Sequence, residues 1–198
     1  MVLPAYNPEM GQTIGLELVD RGFIAHLAWS AAQNCAADTD GVIKAIKCSD
    51  EATLVETGFS APPCARNLTA TVAATTAAEI LAVKVKITGL NMRGEEITEE
   101  LPAFTVGTAG SVTGSKAFAS VTKVEIPAMG GDTVTVDIGY GVKLGVPFKL
   151  PHDTTIKAYN SGTTAESGGT WAVSTTAYED NTYQASATAK SLDLYIIV

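Results

Sequence analysis

Histidines, cysteines and clustered carboxylates are the side chains through which this chain could do chemistry, and their spacing limits what that chemistry can be. Only two histidines occur, His26 and His152. A hydrolytic site needs a nucleophile, a base within hydrogen-bond reach and a group that orients the base. Leu150-Pro151-His152-Asp153 offers a base beside a carboxylate, but no G-x-S-x-G elbow supplies the serine. His152 therefore reads as a solvated or structural residue of a turn between strands, and a hydrolase is the least favoured of three functional readings. Glu95, Glu96, Glu99 and Glu100 are close enough in sequence to suggest the carboxylate pair of glycoside hydrolysis. Alternation around Ile97 instead places Glu96 and Glu100 with Thr98 on one solvated strand face. Asp38-Thr39-Asp40 and Gly131-Asp132 lack the ligand set and spacing of a calcium loop, and neither G-x-x-x-x-G-K nor a G-x-G-x-x-G after a strand is present. Cys35, Cys48 and Cys64 form an odd, widely spaced set that matches neither a disulfide framework nor a zinc pattern. They read as buried or incidental thiols made in a reducing cytoplasm. Asn67-Leu68-Thr69 fits the glycosylation acceptor pattern, but without a secretion signal the fit reads as accidental. The residues thus predict a protein that is not an enzyme, with no catalytic, cofactor-binding or metal-binding residues.

Composition narrows the partners. The formal net charge is −8 over 198 residues, and the 13 Lys and Arg are scattered singly, so the chain repels a phosphate backbone and no nucleic-acid partner is expected. No apolar run reaches eighteen residues, and Met1-Val2-Leu3-Pro4 has neither a charged n-region nor an apolar h-region. A soluble, non-secreted protein without a membrane partner is the expectation.

Few charges, abundant Gly and Thr, and short β-branched runs point to an all-β chain. Strands are predicted at Val42 to Cys48, Thr53 to Phe59, Leu68 to Val72, Val83 to Thr88, Glu96 to Leu101, Val121 to Ile126, Thr133 to Ile138, Lys143 to Leu150, Thr154 to Tyr159, Trp171 to Thr176 and Leu192 to Val198. Asn67, Thr69 and Thr71 form the wet side of the Leu68 strand, and Gly139-Tyr140-Gly141 reads as a tight reversal. Leu90 to Glu95 reads as a hairpin connection that brings Lys84 and Lys86 towards Glu96, Thr98 and Glu100. Ala73 to Ile80 carries the best helical signal, enough for one short turn. So many short antiparallel strands need a second sheet to cover the first, which predicts a β-sandwich or jelly-roll. Pro4, Pro8, Gly11, Gly15 and Gly22 break up the start of the chain, so residues 1–40 are predicted to form an irregular N-terminal arm on a main β-domain at 41–198, with a subdivision near 62–66. Leu16, Leu18, Phe23, Ile24, Leu27 and Trp29 are the candidate interaction residues of that arm, since such a segment has to bury its apolar side chains on the main domain or a neighbour.

The motifs Pro63-Cys64-Ala65-Arg66-Asn67-Leu68-Thr69-Ala70-Thr71, Val83-Lys84-Val85-Lys86-Ile87-Thr88-Gly89 and Glu95-Glu96-Ile97-Thr98-Glu99-Glu100-Leu101-Pro102-Ala103-Phe104 occur in order. They are followed by Gly114-Ser115-Lys116-Ala117-Phe118, Val121-Thr122-Lys123-Val124-Glu125-Ile126-Pro127, Lys143-Leu144-Gly145-Val146-Pro147 and the closing Leu192 to Val198. This string resembles a family of tailed-bacteriophage structural proteins encoded near head genes. The resemblance spans half to two-thirds of the chain, excludes the segment before Asp40 and brings no catalytic residues. It implies assembly into a virion made in the host bacterial cytoplasm. The leading expectation is a capsid decoration or cement protein on the outer head, whose partners are the major capsid protein and further copies of itself, a trimer being suggested by head symmetry. The alternative is a tail, neck or baseplate component or a glycan-binding module, for which Tyr178-Glu179-Asp180-Asn181-Thr182-Tyr183 is the segment of suitable composition.

Overall fold

The computed structural model describes residues 22–198, together with the backbone of two short strands before them, β1 (Gln12–Ile14) and β2 (Glu17–Val19), which pair with each other. The fold is all-β with antiparallel sheets throughout, as alternation and composition predict.

Next in the chain come β3 (Ile24–Trp29), β4 (Asp38–Lys47), β5 (Thr53–Val55), β6 (Arg66–Ala74), β7 (Lys86–Leu90) and β8 (Glu96–Glu100). They are followed by β9 (Gly110–Phe118), β10 (Ser120–Ile126), β11 (Val134–Gly145) and β12 (Thr155–Asn160). The last strands are β13 (Thr164–Ala165), β14 (Thr170–Ala172), β15 (Thr182–Gln184) and β16 (Leu192–Ile197). One sheet has the order β5-β10-β7-β8, and a second runs β14-β15-β11-β6-β9 with β4 also paired to β11. The inward residues of both meet in one cluster: Leu68, Ala70, Val72, Val136 and Ile138 from the second sheet, Ile87, Ile97, Val121, Val124 and Ile126 from the first. Period-two side chains from two sheets closing on one another make a sandwich core.

A third sheet, β13-β12-β16-β3, encloses a separate core of Trp29, Leu144, Val146, Leu150, Ala158, Tyr183, Leu192, Leu194 and Ile196. The segment expected to be an irregular arm is therefore, from residue 24, a regular strand paired along all six residues with the last strand of the chain, Leu192↔Trp29 through Ile197↔Ile24. The two cores divide the chain between Ile138 and Leu144, inside β11, and residues 42–59 share the sandwich core with the strands beyond position 66.

β11 itself departs from expectation. Gly139-Tyr140-Gly141 does not reverse the chain: one strand of twelve residues runs through it and takes in the start of the strand predicted at Lys143 to Leu150, whose residues after Gly145 are not strand. The glycines serve close approach: a Cβ on Gly139 would lie 1.9 Å from the Asp38 carbonyl oxygen, and one on Gly141 would lie 2.5 Å from the Asn67 side-chain amide. That amide donates to the Gly114 carbonyl and its oxygen accepts the Lys143 N–H, both at 3.0 Å. Asn67 is consequently buried, as is Thr69, so the polar side of β6 is covered at these two positions while Thr71 stays partly exposed, and Asn67 is closed to a glycosylating enzyme. Ahead of it Arg66 is fully buried, donating to the Cys35 sulfur and carbonyl at 2.9 and 2.8 Å and standing over the Tyr140 ring. The helical signal at 73–80 yields only the 3-10 turn Ala77–Glu79, because β6 runs on to Ala74. Lys86 pairs in register with Glu100 as the hairpin predicts, while its ammonium reaches Glu125 on its other neighbour, β10.

Candidate interaction surface

Alternation along β3 sorts the predicted interaction residues. Ala25, Leu27 and Trp29 point inward and pack on the second core, Trp29 being buried and Leu27 half-buried. Ile24, His26 and Ala28 are exposed on the outer face. Phe23 and Ile24 are 67% and 69% exposed, the highest values among the large apolar side chains of the described residues. Leu16 lies outside the described residues, and Leu18 is described only as part of the β2 backbone. The structure thus brings Phe23 and Ile24 to the surface together and commits Leu27 and Trp29 to the interior.

Partners missed by sequence reasoning extend the exposed strip. Ile24 is the register partner of Ile197, and Phe23 and Val198 exchange backbone hydrogen bonds of 2.9 and 2.8 Å. Ile156, Ile197 and Val198 are each more than a third exposed. Two shallow grooves flank them: one of about 340 Å³ lined by Ile24, Ile156, Lys157, Tyr159 and Tyr195, the other of about 580 Å³ that includes Pro151, His152, Ile197 and Val198. β3 ends its sheet, so among the described residues its second edge is unpaired and its backbone groups on that side face outward. A contiguous apolar strip beside an open strand edge is the surface feature that most often marks a protein contact.

The residues with chemical potential do not converge. The His26 Nε2–H donates to the Asp193 carboxylate at 2.9 Å and the ring stacks at 4.4 Å on Tyr195, a cross-strand contact on the outer face. Neither histidine hydrogen-bonds a hydroxyl or thiol among the described residues. Glu99, in the acidic cluster, accepts the Ser115 and Lys116 N–H groups, which makes it a fastener between β8 and β9. No group of three His, Cys, Asp or Glu side chains among the described residues is placed to hold a metal. All three cysteines are free thiols, and burial pushes those of Cys48 and Cys64 up to about 11. In the segment of glycan-site composition, Glu179, Asn181, Thr182 and Tyr183 are buried. Asn181 spends its amide on the Ser174 and Ala177 carbonyls and its oxygen on the Leu150 and Ser174 N–H groups, so it holds the loop together from within.

Compared with known proteins, the chain matches no family model, no curated protein and no solved structure, so the functional reading rests on its own residues.

Proposed function

We propose that this protein is a non-catalytic structural component of a phage virion, a decoration protein that binds the outer head and stabilises it. The observation that carries the reading is the strip that runs from Phe23 and Ile24 at the edge strand, unpaired on its outer side among the described residues, across Ile197 and Val198 to Ile156 on β12. Apolar side chains exposed in a row beside unpaired backbone groups suit a permanent partner that brings both apolar area and a strand. The fit to the sequence resemblance is direct, since virion components are held by large interfaces rather than by chemistry. The partners are the major capsid protein and further copies of this chain.

The test is immunogold labelling of intact particles of the phage that encodes this sequence, followed by rebinding of purified protein to particles stripped of it. Label over the whole head, with rebinding abolished by the double substitution Phe23→Ser and Ile24→Ser, is the expected result. Label confined to the neck or tail assigns the protein to those structures and overturns decoration. Undiminished rebinding by a folded double variant overturns the role of the strip.

A further inference from the structure

A third, smaller pocket lies between β12, the Gly168-Gly169 turn, β14 and β15. Its volume is about 230 Å³, below the range of drug-sized sites and suited to a single ring. Two aromatic side chains form one wall: Trp171 and Tyr183, register partners on β14 and β15, stand with ring centroids 5.1 Å apart and planes tilted by 59°. The indole N–H of Trp171 donates to the Thr155 hydroxyl at 2.8 Å, which fixes the ring beside the pocket and leaves its face as a platform.

Acceptors converge from the other sides, held in place by the chain itself. Asp153 accepts the Thr155 N–H at 2.8 Å through one oxygen. Glu166 accepts the Ser186 N–H at 2.6 Å and the Asn160 side-chain amide. Lys157 supplies the one cation of the lining.

Tyr183 is the telling residue. It is 3% exposed and lines the pocket, yet its hydroxyl makes no hydrogen bond among the described residues. The hydroxyl is not sealed in the interior but opens onto the pocket, where a ligand or water can bond to it. Gly169 keeps this hydroxyl reachable, because a Cβ there would stand 1.9 Å from it. Burial, then the charges of Glu166 and Asp153, push the phenol up to about 12, so it remains an O–H group able both to donate and to accept.

We propose that this pocket binds one ring of a neutral sugar, stacked on Trp171 and hydrogen-bonded by Tyr183, Asp153 and Glu166. An aromatic platform matches the C–H face of a pyranose, and fixed carboxylates with a phenol match its hydroxyls. Two carboxylates against one lysine leave the lining net negative, which turns away acidic sugars.

Purified full-length protein is titrated, with saturation-transfer NMR as the readout, against the methyl glycosides of glucose, galactose and mannose, with N-acetylneuraminic acid as the anionic comparison. Binding of at least one neutral glycoside in the millimolar range and none of the acidic sugar is expected. Tyr183→Phe, which removes only the unpartnered hydroxyl, is expected to weaken binding about tenfold, the worth of one hydrogen bond, and to leave the thermal midpoint unchanged. Gly169→Ala is expected to abolish binding. Absence of binding by all three neutral glycosides, preference for the acidic sugar, or full affinity in Tyr183→Phe each overturns the proposal. A lowered midpoint in Tyr183→Phe overturns it too, since the hydroxyl would then have an internal partner.

Discussion

Shortening the chain to residue 22 and shortening it to residue 31 have opposite consequences, although the two differ by nine residues. The shorter truncation leaves β3 whole. The longer removes Trp29, which is 8% exposed, together with the half-buried Leu27 and all six register pairs to β16. Burying a tryptophan removes roughly 200 Å² from water, worth about 5 kcal/mol at about 25 cal/mol per Å². Loss of Leu27 and exposure of Leu192, Leu194 and Ile196 add about 1–2 kcal/mol more. A sum of about 6 kcal/mol matches the lower end of the stability of a whole domain, about 5–15 kcal/mol, so the third sheet cannot survive the loss. Both tryptophans of the chain report on this core, Trp29 from inside it and Trp171 packed against it. Urea unfolding followed by tryptophan fluorescence should therefore give 22–198 the midpoint of the full chain. In 31–198 the Trp171 signal should be unfolded already at low urea, while circular dichroism still shows the sandwich strands melting later. Equal midpoints for 22–198 and 31–198 would refute the assignment of β3 to the second core. They would restore the view of the segment as an accessory arm.

Two further perturbations probe the frame. Gly139→Ala forces a Cβ onto the Asp38 carbonyl and should destabilise by about 1–3 kcal/mol in chemical denaturation, whereas Gly110→Ala, with open space around it, should change stability by less than about 0.5 kcal/mol. Glu79 accepts the Thr133 hydroxyl and N–H at 2.7 and 3.0 Å, and these bonds hold its carboxyl below the usual range. A depressed folded-state value means the contribution is present at neutral pH and is lost as pH falls through that value. The melting-temperature gap between the native chain and Glu79→Gln should accordingly be largest near neutrality and close under acid; a gap that widens in acid would show the opposite linkage.

How much of the fold is legible in the sequence differs from strand to strand for physical reasons. β10 and β16 announce themselves by short runs rich in Val, Ile, Leu and Tyr, with Val121, Val124 and Ile126 buried in the one and Leu192, Leu194 and Ile196 in the other. β9 escapes a sequence reading, since Gly110-Ser111-Val112-Thr113-Gly114-Ser115 has the composition of a turn. Its place is set by β6, with which it pairs from Val72↔Gly110 to Arg66↔Phe118. β11 splits in two on sequence alone because glycine supplies either a reversal or a close crossing, and only the position of Asp38 and Asn67 decides between them. The helical signal at 73–80 loses to a strand whose partner, β11, lies sixty residues away in sequence.

The surface obeys the same logic. Apolar content marks residues 16–29 as important, but which side chains face outward depends on the segment being a strand, and proline and glycine before it argue against that. Once Ile24 is paired with Ile197, the period of two sends Leu27 and Trp29 inside and leaves Ile24 out. The small pocket beside β14 and β15 has no local signature at all. Its aromatic wall needs Trp171 and Tyr183 to pair across a loop, and its mouth needs a glycine that composition assigns to turn geometry.

The position of β3 also fixes how a partner would act on this molecule. β16 lies between β12 and β3, and its inward side chains Leu192, Leu194 and Ile196 are shared by the second core on both sides. A partner that adds a strand to β3 therefore stabilises the whole third sheet and not merely its edge, because fraying at β3 is the step that exposes β16. From there β11 leads onward: Leu144 at its end belongs to the second core, and Val134, Val136 and Ile138 at its start belong to the sandwich. Force applied at the apolar strip thus passes through the packed side chains of the second core to Leu144 and from there along β11 into the larger core. The decoration role proposed above calls for a load path of this kind.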